Sequence, residues 1–278
     1  MDLHIHSTAS DGRLTAEDLV RQAAKKGLSV IAITDHDSVD GIAAALVAAE
    51  SFPSLTVIPG VEINTDIPNG EVHILGYFID YENEELKRTL ETLQRSREIR
   101  ACKMIAKLGK LGIDVEWQRV QTLAGGGSIG RPHIAQAMFE QGYVPSLQEA
   151  FTKYIGRRGP AYAERERLSP EGAVKLVVKA GGLPVIAHPA DTDGLEELLI
   201  QLKDVGLVGL EAYYNGYGRK TIQRLVQLAN KYGLLTSGGS DFHGLWGDDM
   251  PIGGIDVPLD CAQRLIARAE QREEVVSQ

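Results

Sequence analysis

The seven histidines of this 278-residue chain occur at six places, several of them within two residues of an aspartate or an arginine. They are His4 with His6, His36, His73, His133, His188 and His243. Imidazole nitrogens and carboxylate oxygens are ligands that zinc, manganese and iron share. A chain that groups its histidines in this way is expected to bind metal.

The first pair, His4 and His6, lies two residues apart near the start of the chain. On a β-strand this spacing places both side chains on one face, so that both can reach one ion. An isolated pair would more often be surface or core histidines that happen to alternate. The other histidine strings therefore carry much of the weight of the metal interpretation.

Carboxylates accompany several of the histidines. Asp35 and Asp37 flank His36, and either could hold the second ring nitrogen and fix the tautomer that binds metal. Glu62 ends an apolar run, where a carboxylate is costly unless it is paired or bound to a cation. These positions strengthen the hypothesis of a metal centre.

A later string contains Asp241 and His243, again two residues apart, after a pair of glycines that let the backbone turn beneath a ligand. His73 and His188 are more ambiguous, because each lies in or beside an apolar run. A hydrogen-bonded core histidine is the competing interpretation for both.

Seven apolar runs are typical of β-strands, and most end at or beside one of these residues. They cover residues 3–6, 30–34, 55–62, 72–78, 183–188, 207–213 and 234–238. Helical patterns alternate with them, and Thr15 and Ser169 are predicted helix caps. This alternation predicts a parallel sheet with a site at the carboxyl ends of its strands. The predicted fold is α/β, a distorted seven-stranded (β/α)7 TIM-like barrel with a helical insertion.

The alternation stops between residues 82 and 165. A long helix is predicted over 84–111, with leucines at 86, 90, 93 and 108 on one face and Cys102 also buried on a helix face. Shorter helical patterns follow near 116–124, 132–141 and 146–155. We therefore predict a barrel domain formed by residues 1–81 and 166–278, and a helical insertion domain at 82–165 that caps the barrel mouth.

Composition narrows the class of protein. A hydrophobic content of 43% with 24% charged residues is typical of a globular chain with a sizeable core. The net charge of −9 argues against an extended nucleic-acid surface, although a local cationic site for a small anion is compatible with it. No apolar run approaches the ~20 residues that span a bilayer, so we expect a cytoplasmic protein without a membrane partner. No pattern indicates the oligomeric state.

Six segments resemble the polymerase and histidinol phosphatase (PHP) family. They are DLHIHSTASDG at 2–12, ITDHDSVDG at 33–41, GVEI at 60–63, VHILGY at 72–77, AHPA at 187–190 and GGSDFHG at 238–244. Further similarity lies in the insertion, in IGRPH at 129–133, YIG at 154–156 and GPAY at 159–162. Within the family, the chain is similar to the branch of 3′,5′-nucleoside bisphosphate phosphatases and exonucleases of short oligoribonucleotides.

The resemblance implies nine metal ligands, and none of these positions departs from the family's pattern. They are His4, His6, Asp11, His36, Glu62, His73, His188, Asp241 and His243. The set implies two or three divalent ions, with manganese as the first expectation and zinc or iron as alternatives. The implied reaction is phosphoester hydrolysis by a bridging hydroxide. Asp241 is the candidate to accept a proton from the water, and His188 or His243 to protonate the leaving oxygen.

Four residues of the insertion are candidates for substrate binding. Arg131 and His133 could meet a second phosphate, because a guanidinium clamps phosphate oxygens with two hydrogen bonds. The alternative is a solvated arginine ahead of a helix that merely starts at Pro132. Arg157 and Arg158 would add positive potential at the barrel mouth or form a solvated turn.

The expected substrate is a small phosphorylated nucleotide, either a 3′,5′-nucleoside bisphosphate or the 5′ end of a short RNA. A histidinol phosphate phosphatase would use the same metal centre for a cationic amino alcohol, but the arginines of the insertion favour an anionic substrate. A non-catalytic metal-binding interaction module is the third alternative, since a fold alone proves no activity.

Overall fold

Seven β-strands form one sheet in the computed structural model, which describes residues 1–67, 70–244 and 250–276. The strands are β1 (Asp2–Ile5), β2 (Val30–Ile33), β3 (Thr56–Ile67), β4 (Gly70–Tyr77), β5 (Leu183–Ala187), β6 (Gly209–Tyr214) and β7 (Leu235–Gly239), and they pair in chain order. Two backbone bonds connect the ends of the sheet: the His6 amide donates to the Phe242 carbonyl and the Asp241 amide to the His4 carbonyl, both at 2.9 Å. The sheet is therefore a nearly closed barrel, as predicted.

The expectation of a wholly parallel sheet is wrong at β4. This strand runs antiparallel to both β3 and β5, whereas the other neighbouring pairs are parallel. Only residues 68 and 69 lie between β3 and β4. A parallel pair needs a crossover of a dozen or more residues. A two-residue connection therefore permits only antiparallel pairing.

Ten α-helices accompany the strands in the described part of the chain. They are α1 (Ala16–Lys25), α2 (Ile42–Ala49), α3 (Glu84–Lys110), α4 (Trp117–Ala124), α5 (Arg131–Glu140), α6 (Leu147–Ala150), α7 (Pro170–Lys179), α8 (Leu195–Asp204), α9 (Arg219–Tyr232) and α10 (Leu259–Val276). The predicted caps are confirmed, since the Thr15 and Ser169 side chains accept hydrogen bonds from the amides of Asp18 and Gly172. The sequence patterns did not identify α2 and α10.

The long helix α3 contributes to two hydrophobic cores. Leu86, Leu90 and Leu93 near its start pack in the core that also contains residues of β3, β4 and α7. Met104 and Leu108 near its end pack in a second core built by the helices and loops between 101 and 163. The helix thus connects the barrel to the helical segment, and the exact division into two domains stays a prediction.

Two arginines interrupt the apolar buried face of α3. Arg97 and Arg100 continue the spacing set by the leucines, and both are buried, with 4% of each residue exposed. Cys102, which we expected on a buried face, is exposed instead. No helix in the described ranges is both long and apolar enough to cross a membrane.

Candidate metal centre

Loops and strand ends bring the nine predicted ligands to one region of the barrel. Most of them lie at or just beyond the carboxyl ends of parallel strands, where β1, β2, β5 and β7 end. They are His4, His6 and Asp11 in or after β1, His36 after β2, Glu62 in β3, His73 in β4, His188 after β5, and Asp241 and His243 after β7. Eight of the nine form three overlapping groups whose potential ligand atoms lie within 4.8 Å of one another.

The three groups share residues. One contains His6, Asp11, His36 and His243, the second His4, His6, Glu62 and Asp241, and the third His36, Glu62 and His73. His188 lies beside the third group, because its Nε2 is 3.2 Å from Glu62 Oε1. Adjacent groups with common members could hold neighbouring ions that share ligands.

Glu62 is the central residue of this arrangement. It is completely buried, and its oxygens lie within 3.3 Å of five imidazole nitrogens. The five are His4 Nε2, His6 Nε2 and His36 Nδ1 near Oε2, and His73 Nδ1 and His188 Nε2 near Oε1. Burial raises the pKa of Glu62, but the charges of the surrounding histidines outweigh burial and hold that pKa well below its usual range. The carboxylate is therefore ionised and available to a cation.

Several buried atoms of the cluster approach one another without forming a hydrogen bond. They include Nε2 of His4, both ring nitrogens of His6, Oδ1 of Asp11, Nδ1 of His36, Oε2 of Glu62 and Oδ1 of Asp241. Buried polar atoms that lack a partner are rare in folded proteins and need an explanation. Converging nitrogens and oxygens with free lone pairs fit divalent cations, which would satisfy them together.

Two of the predicted catalytic residues have unusual backbone conformations. Asp241 has φ +54° and His188 has φ +29°, values that residues other than glycine seldom adopt. Such conformations cluster at active sites, where surrounding structure holds them. For Asp241 the result is that Oδ1 lies 2.9 Å from His6 Nε2, while Oδ2 accepts a hydrogen bond of 2.8 Å from the Tyr214 hydroxyl.

Glu211 orients part of the cluster, although the sequence motifs gave it no role. Its carboxylate lies 3.1 Å from His4 Nδ1 and accepts a hydrogen bond of 2.8 Å from the His188 amide. With Nδ1 held by this carboxylate, Nε2 of His4 is directed toward Glu62 and Asp241. Glu211 is distant in the sequence from the two histidines that it contacts, so no local sequence pattern reveals its role.

The prediction that Asp35 or Asp37 would hold the His36 ring is not supported by the contacts. Asp35 accepts hydrogen bonds from Ser7 and Ser10, and thereby fixes the loop that leads to Asp11. Asp37 pairs instead with Arg97 of α3 and with Arg165, which lies in the segment that leads into α7. Asp37 has φ +50° and therefore does not continue an extended strand, and both carboxylates make their contacts away from the ring of His36.

The four predicted substrate-binding residues have different surroundings. Arg131 donates to Glu71 Oε2 at 3.2 Å, and its guanidinium lies over the rings of Phe151 and Tyr162. His133 accepts a hydrogen bond from the Gly130 amide through Nδ1.

Arg157 and Arg158 differ from each other. Arg157 Nη1 lies 3.6 Å from Asp66 Oδ1, whereas Arg158 is exposed and forms no ion pair with any residue that the structure describes. Arg131 is linked to the ligand cluster through Glu71, whose Oε2 lies 3.9 Å from His73 Nε2.

Motif analysis missed three further arginines near the ligand cluster. Arg97 and Arg165 both contact Asp37 Oδ2, at 2.6 and 3.1 Å, and Arg167 contacts Glu71 and Asp66. A signal for Arg97 exists in the sequence, since it occupies the apolar stripe of α3. Arg165 and Arg167 alternate with glutamates in an extended segment, a spacing that places both on one face.

An α/β barrel whose strand ends carry a cluster of histidines and carboxylates defines a class of metal-dependent hydrolases. The chain matches the PHP domain over residues 2–153, more than half of its length, and it belongs to that family.

Two relatives and one solved structure extend over nearly the whole chain. A 5′-3′ exoribonuclease of Haemophilus influenzae is 34% identical over 92% of each chain, and a 3′,5′-nucleoside bisphosphate phosphatase of Chromobacterium violaceum is 32% identical over 87% of each. A crystal structure from Bifidobacterium adolescentis, assigned as a metal-dependent phosphoesterase, is 30% identical and superposes with a TM-score of 0.88 over 96% of this chain and 95% of that one. The family and these relatives make this protein a metal-dependent phosphoester hydrolase, and they reject the non-catalytic module.

Removal of the charge at Asp37 should destabilise the protein strongly. Burial raises the pKa of Asp37, but Arg97 and Arg165 outweigh burial and lower it to about 2, against 3.8 for an unperturbed aspartate. We expect Asp37→Asn to cost roughly 3–5 kcal/mol of unfolding free energy, because two buried guanidinium groups lose their counter-ion. Urea unfolding of metal-free protein measures this loss.

The pH dependence and a surface variant provide the controls for Asp37→Asn. Because the folded pKa is depressed, the difference from wild type should be complete above about pH 4 and diminish as the pH falls toward 2. Asp18→Asn removes an exposed partner of Arg21 and should cost at most about 1 kcal/mol. Equal losses in the two variants would contradict a buried ion-pair role for Asp37.

Proposed function

We propose that this protein hydrolyses the phosphate ester of 3′,5′-nucleoside bisphosphates, and that it also removes nucleotides from the 5′ ends of short RNA. The observation that carries the proposal is the group of arginines beside the ligand cluster, joined to it through Glu71 and Asn64. A second anionic group on the substrate would meet positive charge there. The bisphosphate phosphatase and exoribonuclease among the relatives support the same substrate class.

The nine side chains of the cluster are proposed to hold two or three divalent ions. Manganese is the first choice, and zinc or iron would also accept this mixture of imidazole and carboxylate ligands. Ions bound there would supply Lewis acidity and a water of lowered pKa. Three overlapping ligand groups support more than one ion, because a single ion could not engage all of them.

Side chains of the cluster are proposed to accept and donate the protons that the hydrolysis requires. Asp241 is proposed to accept the proton of the attacking water, with Oδ2 oriented by Tyr214. His243 directs Nδ1 to the Asp241 carbonyl at 2.8 Å and Nε2 toward Asp11 at 3.3 Å, which fixes its ring. His188 or His243 would protonate the leaving oxygen.

Binding of the non-reacting phosphate is proposed for the arginine side of the cluster. Arg131 begins α5, where the helix dipole already contributes positive potential. Arg157 and His133 lie on the same helical segment, and Arg158 is the weakest member because it is exposed. Histidinol phosphate, the alternative substrate, carries a cationic amine that this side would repel.

Substitution of Glu62 tests the metal part of the proposal. We expect Glu62→Gln to lose at least one equivalent of bound manganese, and to lose more activity than the roughly 10–100-fold typical of a residue that merely orients a ligand. Metal analysis after dialysis and phosphate release are the measurements. Glu91→Gln, an exposed change on α3, should match wild type. Full metal occupancy in Glu62→Gln would contradict the central role of this carboxylate.

A substrate panel tests the reaction itself. Wild-type protein with manganese should release phosphate from adenosine 3′,5′-bisphosphate and shorten a 5′-phosphorylated short RNA, and EDTA or His36→Ala should abolish both activities. Histidinol phosphate should be a poor substrate. Release from histidinol phosphate alone would transfer the assignment to that alternative.

Alanine at Arg131 should affect the doubly phosphorylated substrate selectively. We expect kcat/KM for adenosine 3′,5′-bisphosphate to fall roughly 10–100-fold, because charge-assisted hydrogen bonds to the second phosphate are lost. Hydrolysis of p-nitrophenyl phosphate, which has one phosphate, should change little. Arg119→Ala, an exposed arginine paired with Glu140, is the control. Equal losses on both substrates would exclude a role in holding the second phosphate.

A further inference from the structure

An aspartate outside the proposed ligand set lies buried where the two ends of the sheet meet. Asp2 is the first residue of β1, and only 1% of the residue is exposed. Its Oδ1 accepts a hydrogen bond of 2.9 Å from the Ser240 amide, and its Oδ2 accepts bonds of 2.6 Å from the Ser240 hydroxyl and 2.7 Å from the Gly253 amide. No basic side chain in the described ranges pairs with it. A buried carboxylate without a cationic partner depends on such hydrogen bonds.

Both donor residues belong to the part of the chain that follows β7. Ser240 directly precedes Asp241, and Gly253 lies in a loop ahead of α10. That loop is anchored, since Ile252 is 1% exposed and packs in a hydrophobic core with residues of α1 and β2. The Asp2 carboxylate therefore fastens two later segments to the first strand.

The end of β7 passes very close to Asp2. A Cβ atom at Gly239 would lie 2.7 Å from Asp2 Oδ1 and 2.4 Å from the His4 amide nitrogen, closer than non-bonded atoms approach. Glycine is therefore required where β7 approaches β1. Ser240, the next residue, is bound by one carboxylate at both its amide and its hydroxyl, so its backbone and its side chain are fixed together.

The restraint on Ser240 extends to Asp241. Asp241 has φ +54°, which residues other than glycine seldom adopt unless the surrounding structure holds them. In this conformation Oδ1 of Asp241 lies 2.9 Å from His6 Nε2 and 3.3 Å from His4 Nε2. A change of φ at Asp241 would turn its carboxylate away from both rings.

We propose that Asp2 is a positioning residue for the metal centre. Its carboxylate fixes Ser240, and Ser240 in turn holds Asp241 in the conformation that directs Oδ1 toward His4 and His6. Asp2 is not a catalytic residue, because its hydrogen bonds come from backbone amides and one hydroxyl. This role rests on the proposed function only through Asp241 as a metal ligand, and it is independent of which phosphoester is the substrate.

Manganese titration of metal-free protein tests this role directly. Asp2→Asn keeps the size of the side chain but places an NH2 group against donors, so that Ser240 or Gly253 loses an acceptor. We expect calorimetry to show manganese binding about 10-fold weaker at one site, as for a residue that orients a ligand, and Asp241→Asn to weaken the same site further. Asp204→Asn, an exposed change at the end of α8, should bind manganese as wild type does.

The pattern across these variants separates two failures. Wild-type manganese binding in folded Asp2→Asn, together with weaker binding in Asp241→Asn, would overturn the positioning role and leave Asp2 as a contact that only stabilises the barrel. Wild-type binding in both variants would reject Asp241 as a ligand, and the positioning role with it.

Kinetics at saturating manganese provide a second measurement. Asp2→Asn should lower kcat for p-nitrophenyl phosphate roughly 10-fold and change KM less than about 3-fold, because Asp2 makes no contact with the substrate side of the centre. Ser240→Ala, which removes only the hydroxyl, should lose part of the same activity and serves if Asp2→Asn fails to fold. The double variant should be no worse than Asp2→Asn alone, since both changes break one connection. Additive losses, or a wild-type kcat in the folded variants, would overturn transmission through Ser240.

Discussion

Glu62 has both oxygens enclosed by five imidazoles that come from four separate segments of the chain. In an apolar environment a carboxylate alone would be driven toward its neutral form, and it is the histidines that keep it charged. The arrangement also constrains the barrel. A slip of β3 by one residue would turn Glu62 to the opposite face of the sheet and separate all five contacts. The register of β3 and the position of Glu62 in the centre therefore depend on each other.

The reversed strand β4 gives the centre its connection to the helical segment. Because β3 and β4 form an antiparallel pair, Asn64 lies opposite His73 and Asp66 opposite Glu71. Both partners of His73 that are not themselves candidate ligands, Asn64 and Glu71, contact arginines of the helical segment or of its return. A parallel strand in this position would have sent these polar residues elsewhere. The departure from a regular barrel thus creates the contact between metal ligands and positive charge.

Much of the barrel could be predicted, because its strands are short apolar runs and its helices α1 and α7 begin at recognisable caps. Part of the ligand cluster could also be anticipated from the residues, since His4 with His6 and Asp241 with His243 are local pairs two residues apart, whereas the full set of nine came from the resemblance to the PHP family. Glu211 and Asp37 escaped prediction because their partners are distant in the sequence: His4 for the first, and Arg97 and Arg165 for the second. The short helix α2 has no side-chain cap, and so its start gave no signal. Arg97 and Arg100 lie in the apolar stripe of α3. Helical periodicity alone predicts that such positions belong to the hydrophobic core, and it does not predict a buried charge.

The candidate ligands span the chain from His4 in the first strand to His243 beyond the last. A polypeptide still emerging from the ribosome, or one cut before β7, contains His4, His6 and Glu62 but lacks Asp241 and His243. The cluster is complete only when the two ends of the sheet meet, through the bonds from His6 to Phe242 and from Asp241 to His4. Barrel closure is therefore a precondition of hydrolysis: an unfinished or clipped chain cannot assemble the complete ligand cluster.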